Sequence, residues 1–301
     1  MSARFADPPM LQSRANLGLL LGFLGITMFG GTLPAVRLAV MWLDPAFLTV
    51  ARLAIGGLAG LALLVVLRRP LPPRPLWQPL VVASLGVAVG FPLLTNFAMA
   101  TVAAAHGAVI LALLPLATLT AAAVFAGERP SPGFWLASIS GTALVIAFAL
   151  RRNNGGALMA GDLLLLGAVV AAAVGYVFCG RLSLVMPGWE VISWAVVVCL
   201  PPALVGLAAT WPPDAAAVPV SAWIALAYTG LFSQFIGFFL WNAGLALGGI
   251  ARVSQVQLLQ PFVIVALAVP VNGEAIDSET VLYAIGVVAI VTVGQRLRVA
   301  R

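Results

Sequence analysis

Residues 96–128 read NFAMATVAAAHGAVILALLPLATLTAAAVFAGE, and residues 242–274 read NAGLALGGIARVSQVQLLQPFVIVALAVPVNGE. One frame runs through both: an asparagine, eighteen residues, a proline, eleven residues, then Gly-Glu. Asn96, Pro115, Gly127 and Glu128 each recur 146 positions later, as Asn242, Pro261, Gly273 and Glu274. Trp77 and Trp223 carry the match upstream at the same offset. Both copies lie in strongly apolar sequence. A duplicated multi-span membrane half is how many carriers build a substrate site at the bilayer midplane.

The rest of the chain fits a membrane setting. Of 301 residues, 62% are hydrophobic and 8% are charged, against about 25% charged in a soluble domain. Mean hydropathy is +1.12. Apolar runs of about 20 residues recur, long enough to cross a bilayer as helices that satisfy their own backbone groups. The fold class is therefore all-α integral membrane. A pI near 10.6 invites a nucleic-acid reading, but most of the arginines stand in short connections between apolar runs, as membrane orientation requires. Nucleic acid is set aside as a partner, leaving the lipid bilayer and a small-molecule substrate. Cys179 and Cys199 are isolated and read as small buried apolar residues, not as a metal site or a disulfide framework. The apolar stretch 16–36 exceeds the 7–15-residue core of a signal peptide and reads as a retained first span.

Ten spans are expected: 16–36, 47–67, 77–99, 103–126, 133–150, 161–181, 190–210, 221–245, 250–270 and 279–296. Proline, glycine and arginine punctuate most of the gaps. Ten crossings put both termini on one side. That side holds Arg4, Arg14, Arg68, Arg69, Arg74, Arg129, Arg181, Arg252, Arg296, Arg298 and Arg301, and the other holds Arg37, Arg151 and Arg152. The excess orients both termini to the cytoplasm. Trp42, Trp77, Trp135, Trp189, Trp211 and Trp223 sit at span ends, as an interfacial belt would.

Five spans per half is an odd number, so the second copy enters the membrane from the opposite side. The halves, 16–150 and 161–298, are then inverted five-helix repeats about a pseudo-two-fold axis in the membrane plane. Gly31 and Arg37 match Gly175 and Arg181 at an offset of 144 in the first span of each half. Gly30-Gly31 and Pro34 mark a local break or a packing notch.

These residues resemble the drug/metabolite transporter superfamily, in its ten-span type with two EamA repeats. Asn96, Pro115, Gly127-Glu128-Arg129 and Gly141 carry the likeness in the first half; Asn242, Pro261, Gly273-Glu274 and Gly286 carry it in the second. The likeness covers about 16–296, and the chain is similar to YddG-type exporters of aromatic amino acids. The resemblance implies export of amino acids and related metabolites across a bacterial inner membrane. Ala275 stands where the first copy has Arg129, a departure that weakens any shared role for that arginine.

Intramembrane polar side chains are costly and mark candidate sites. Gln234, Phe238 and Trp241 are spaced i, i+4, i+7 on one face of the eighth span. An amide beside two aromatic rings suits an aromatic or apolar amino acid; the plainer alternative is a hydrogen bond between helices. Gln257 and Gln260 follow in the ninth span, where Pro261 loosens the backbone ladder near Gln257. Leu111 and Leu114 stand at their positions in the first copy, so recognition is expected to weigh toward the second half. Asn96 and Asn242 either cap helices or touch substrate. His106 and Arg252 are equivalent positions, one toward each mouth, where a cation would draw a carboxylate. Arg52, inside the second span with no acid near it in sequence, is expected to pair with Asp44 or to snorkel outward, with a substrate role as the lesser alternative. Glu128 and Glu274 read as locks between helices.

No acid lies at the centre of any span, which speaks against proton coupling through a carboxylate. A phosphate-binding glycine loop and a His-Glu-x-x-His motif are both missing, so no cofactor and no enzymatic activity are expected. The reading is a secondary transporter of the inner membrane, its site between the third and fourth spans and the eighth and ninth. The alternatives are a drug or metabolite exporter on the same fold, then a channel or an intramembrane enzyme.

Overall fold

A computed structural model describes residues 9–102, 104–152, 160–272, 278–295 and 299–300. Among the described residues the helices fall into ten spans. The second, fifth, sixth and tenth are single helices: Pro45–Val66, Pro132–Arg152, Ala160–Leu182 and Ser278–Gln295. The other six are interrupted, and the interruptions follow the sequence.

The first span runs Pro9–Gly30, turns at Gly31 and resumes as Thr32–Val40, so the break expected there is present. Tyr228 Oη fills the notch and donates to the Met28 carbonyl at 2.6 Å. The fourth span is Ala104–Leu111 followed by Leu114–Phe125; the ninth is Ile250–Ser254, a 3-10 stretch Gln255–Leu259 and Gln260–Asn272. Pro115 and Pro261 are each the second residue of the resuming helix. A proline ring clashes with the carbonyl four residues back, which is Leu111 in one copy and Gln257 in the other. The seventh span, Gly188–Val198 with Leu200–Ala209, bends by 47° at Cys199.

The third and eighth spans share a second device. Each carries a π-helical stretch, Ser84–Gly90 in one and Thr229–Ile236 in the other. Shifted by 146, the first maps to 230–236, so both repeats widen at the same place. Such widenings are frequent at functional sites.

Packing repeats the symmetry. The first span lies along the eighth and the sixth along the third, while the second packs on the seventh and the fifth on the tenth. Exchanging halves returns the same set of pairs, as an inverted repeat requires. Two of these contacts are backbone on backbone. A Cβ on Gly244 would stand 2.8 Å from the Gly18 oxygen, and one on Gly86 would stand 2.7 Å from the Gly175 Cα. Close approach of this kind is how helices associate without a hydrophobic driving force.

The Gly-Glu end of the first copy has a clear use. Gly127, at φ +68°, ends its helix in the left-handed conformation that glycine tolerates. The chain turns back, and the buried Glu128 carboxylate accepts from Ile250 N at 2.9 Å and Ala251 N at 2.7 Å. The first repeat thus holds the start of the ninth span, the lock expected of it. Glu274 lies outside the described residues. A two-residue antiparallel pairing, not expected from the apolar pattern, joins Arg129 to Ala300 and Pro130 to Val299.

One expectation is overturned. Asp44 spends its carboxylate on the start of the second span, accepting from Ala46 N at 2.8 Å and Phe47 N at 3.3 Å, an N-cap. Arg52 lies eight residues on, about 12 Å along the helix, and is 1% exposed. It neither pairs with Asp44 nor snorkels. Glycines at 56, 57 and 60 let neighbouring helices close over its face.

Candidate functional site

The broken and widened segments of both halves meet around a central cavity. Phe29, Thr32 and Leu33 come from the break in the first span and Arg52 from the second. Val87 comes from the π-helical stretch of the third span, Phe91 from the turn after it, and Leu111 from the break in the fourth. The second half adds Ala172 and Tyr176 from the sixth span, Ser233, Gln234 and Phe238 from the eighth, and Gln260 from the ninth. The space open to the centre of a water molecule is about 20 Å³. That admits about one water and is too little for an amino acid.

A polar line crosses the cavity between the repeats. The hydroxyls of Thr32 and Ser233 are 2.8 Å apart, and Arg52 Nη2 donates to Ser233 Oγ at 3.3 Å. Gln234 Nε2 donates to the Ala88 carbonyl at 2.9 Å. Arg52 Nε and Nη1 and Gln234 Oε1 are buried with no hydrogen-bond partner among the described residues. Polar atoms buried this way are costly and need an explanation.

The other wall is aromatic. Phe29 and Phe238 pack with centroids 5.0 Å apart, and Tyr176 lies 6.0 Å from Phe238. Trp241 stands behind them, 5.2 Å from Tyr176 and 6.2 Å from Phe29.

The structure separates the residues singled out from sequence. Gln234, Phe238 and Gln260 line the cavity. Trp241 is 0% exposed and forms a second layer: it lies one turn beyond Phe238 and packs against Gly22 and Gly25 of the first span. Gln257 is 2% exposed, off the lining, with both amide atoms unpartnered. Asn96 donates to Thr49 Oγ1 at 2.9 Å, joining the third span to the second. Asn242 donates to the Gly188 carbonyl at 3.1 Å, joining the eighth span to the seventh. Neither asparagine lines the cavity. Arg252 is half-buried near the start of the ninth span, away from the lining. His106 belongs to the helix Ala104–Leu111, and its side chain lies outside the described residues.

Tyr176, Phe29, Thr32 and Ser233 also line the cavity without a sequence expectation behind them, and Arg52 lines it where a substrate role was only the lesser alternative. The first, second and sixth spans therefore contribute beyond the four expected. A signal existed for two of them: the 144 offset that relates Gly31 to Gly175 also relates Thr32 to Tyr176, and both line the cavity.

The EamA-like transporter family model matches the chain twice, over residues 16–150 and 159–293. The chain is 43% identical over 286 residues to the uncharacterized transporter YdeK of Bacillus subtilis (strain 168), spanning 95% of this chain and 99% of that one. It is 27% identical over 282 residues to the uncharacterized inner membrane transporter YedA of Escherichia coli (strain K12), spanning 90% and 89%. A solved crystal structure with 21% identity matches 92% of this chain and 95% of its own, at a TM-score of 0.72. At that identity the likeness is one of fold.

Proposed function

The chain belongs to the EamA-like transporter family, a class of membrane transporters and not of enzymes, and from that premise we propose that it exports amino acids with aromatic or apolar side chains, and related small metabolites, by alternating access. The observation that carries this reading is the central cavity: polar groups on one wall, aromatic rings on the other, and both repeats contributing. The aromatic wall suits an apolar side chain, and the hydroxyls and amides suit the polar end of an amino acid. Gln234, Phe238 and Gln260 would contact substrate once the cavity opens, with Trp241 backing the ring wall. Asn96 and Asn242 would hold the paired spans that move, and His106 would stand near one mouth.

The cavity in this conformation is too small for an amino acid. Substrate must enter by a movement of the repeats, and inverted repeats provide two open states of near mirror form. The breaks at Gly31, Pro115 and Pro261 are where such a movement would bend. The arginine excess supports a cytoplasmic location for both termini in a bacterial inner membrane, with the site facing the membrane's two aqueous sides in turn. Among the described residues no carboxylate lines the cavity, so passive or exchange transport is the simpler coupling.

Uptake of labelled phenylalanine, tryptophan and threonine into liposomes holding the purified protein tests this, with and without an imposed pH gradient. Saturable uptake that ignores the gradient and is competed by other amino acids is expected. Uptake that tracks the gradient would overturn the passive coupling and direct attention to His106. Absence of uptake for every amino acid would overturn the substrate class.

A further inference from the structure

We propose that Arg52 binds the carboxylate of the substrate, so that the carrier requires an organic acid and treats an amino group as optional. This rests on the central cavity being the transport site.

Arg52 is 1% exposed, deep in the second span, and lines the cavity. A guanidinium presents five donors in a rigid fork. Here Nη2 reaches one hydroxyl at 3.3 Å, and Nε and Nη1 have no partner. A charge in that position is costly without a counter-ion.

The described carboxylates are engaged away from the cavity or lie off its lining. Asp44 caps the second span, Glu128 holds the ninth, and Glu190 pairs with Arg69. Asp162, at the start of the sixth span, and Asp214, in the connection before the eighth, are also absent from the lining. Among the described residues, the cavity therefore carries a positive charge with no carboxylate facing it. An arriving carboxylate supplies that anion and takes up the idle donors in a charge-assisted pair. Ser233 and Thr32, already linked at 2.8 Å, stand beside the pair with hydroxyls that can donate to it. Across from them Phe29, Phe238 and Tyr176 take the apolar body.

The arrangement is one-sided. An ammonium group would find only neutral acceptors, chiefly the unpartnered Gln234 Oε1. An acid without an amino group satisfies Arg52 as well as an amino acid does. An amine without a carboxylate brings a second cation to a cavity that already holds one.

Probes sharing one phenyl ring decide the matter: phenylalanine, 3-phenylpropanoate and phenethylamine. Binding to the purified full-length protein in lipid nanodiscs is read by calorimetry. Both acids are expected to bind with affinities within about tenfold of each other, and phenethylamine at least about 100-fold more weakly. Arg52→Gln should lose both acids by at least about 30-fold, and Arg52→Lys should regain part of the loss. The wild-type probe series stands without the variants, should either fail to fold. Phenethylamine binding as tightly as 3-phenylpropanoate, failure of both acids to bind, or wild-type acid affinity in folded Arg52→Gln overturns the assignment. Binding of 3-phenylpropanoate without phenylalanine would support the Arg52–carboxylate pair, contradict an optional amino group and remove the amino-acid reading, so the two claims fail separately.

Discussion

Gln234 donates its side-chain amide to the backbone carbonyl of Ala88 at 2.9 Å, and the two residues are counterparts, 146 positions apart. Equivalent residues that touch must lie beside the axis that exchanges them. Both sit in the matched π-helical stretches, so the widened segments of the two repeats meet at the pseudo-symmetry axis and are tied there by one bond. The bond is asymmetric, because alanine cannot return it.

Gln234→Leu removes this tie. Interhelical polar contacts in a bilayer average about 0.6 kcal/mol and reach about 1.7, so a fall of a few degrees in Tm is expected. The loss of uptake should be larger, about tenfold or more, because the same side chain lines the cavity. Folded Gln234→Leu with wild-type uptake would show that the contact is packing alone.

Inverted symmetry makes a sharper demand on Gln257. In this state Leu111 and Gln260 line the cavity, while Gln257 and Leu114 do not. Leu111 and Gln257 are counterparts, as are Leu114 and Gln260. In the mirror state the lining should therefore exchange, bringing in Gln257 and Leu114. Gln257 is buried with both amide atoms unpartnered, a cost that leucine would relieve. Gln257→Leu should hold or raise Tm yet lower uptake severalfold. An unchanged uptake rate would mean that Gln257 meets substrate in neither state.

Much of this was legible in the sequence. Ten spans, their inversion and the breaks at Gly31, Pro115 and Pro261 follow from apolar runs, parity and ring geometry. Gln234, Phe238 and Gln260 reach the cavity because a polar or aromatic residue inside an apolar span has few other places to face. Trp241 stands behind the wall because the glycines at 22 and 25 bring the first span against it, a contact between spans far apart in sequence. For Arg52 the sequence leaves pairing with Asp44, snorkelling and a substrate role open, since capping by Asp44 before Pro45 becomes visible only with the backbone in hand. The helix pairing that surrounds Arg52 depends on glycine contacts between spans far apart in sequence.

Glu128 offers a stability test apart from the cavity. Its carboxylate holds two backbone N–H groups at the start of the ninth span. Loss of a helix-start cap costs about 0.5–2 kcal/mol, and a charged acceptor lies toward the upper part of that range. Glu128→Ala should lower Tm clearly, and Glu128→Gln, which keeps one acceptor, should lower it less. Equal Tm values for wild type and Glu128→Ala would show that the cap carries no weight.

Trp241 separates support from contact. Removing a large buried aromatic side chain costs about 3–5 kcal/mol, so Trp241→Ala should be strongly destabilised and slow in uptake. Trp241→Phe keeps a ring against Tyr176 and Phe29 and should recover most of the stability. If Trp241 acts only by backing the wall, Trp241→Phe also recovers most of the uptake, whereas a persistent defect in a stable variant would place its indole against substrate.

The most direct test of the central claim, that one site between the repeats faces the two sides in turn, is counterflow. Liposomes holding the protein are loaded with unlabelled phenylalanine and diluted into a trace of labelled phenylalanine. An alternating carrier predicts that label rises transiently above its outside concentration and then falls back as the unlabelled pool drains. A rise that only ever reaches equal concentrations, whatever the loading, would contradict it and leave a channel as the better account.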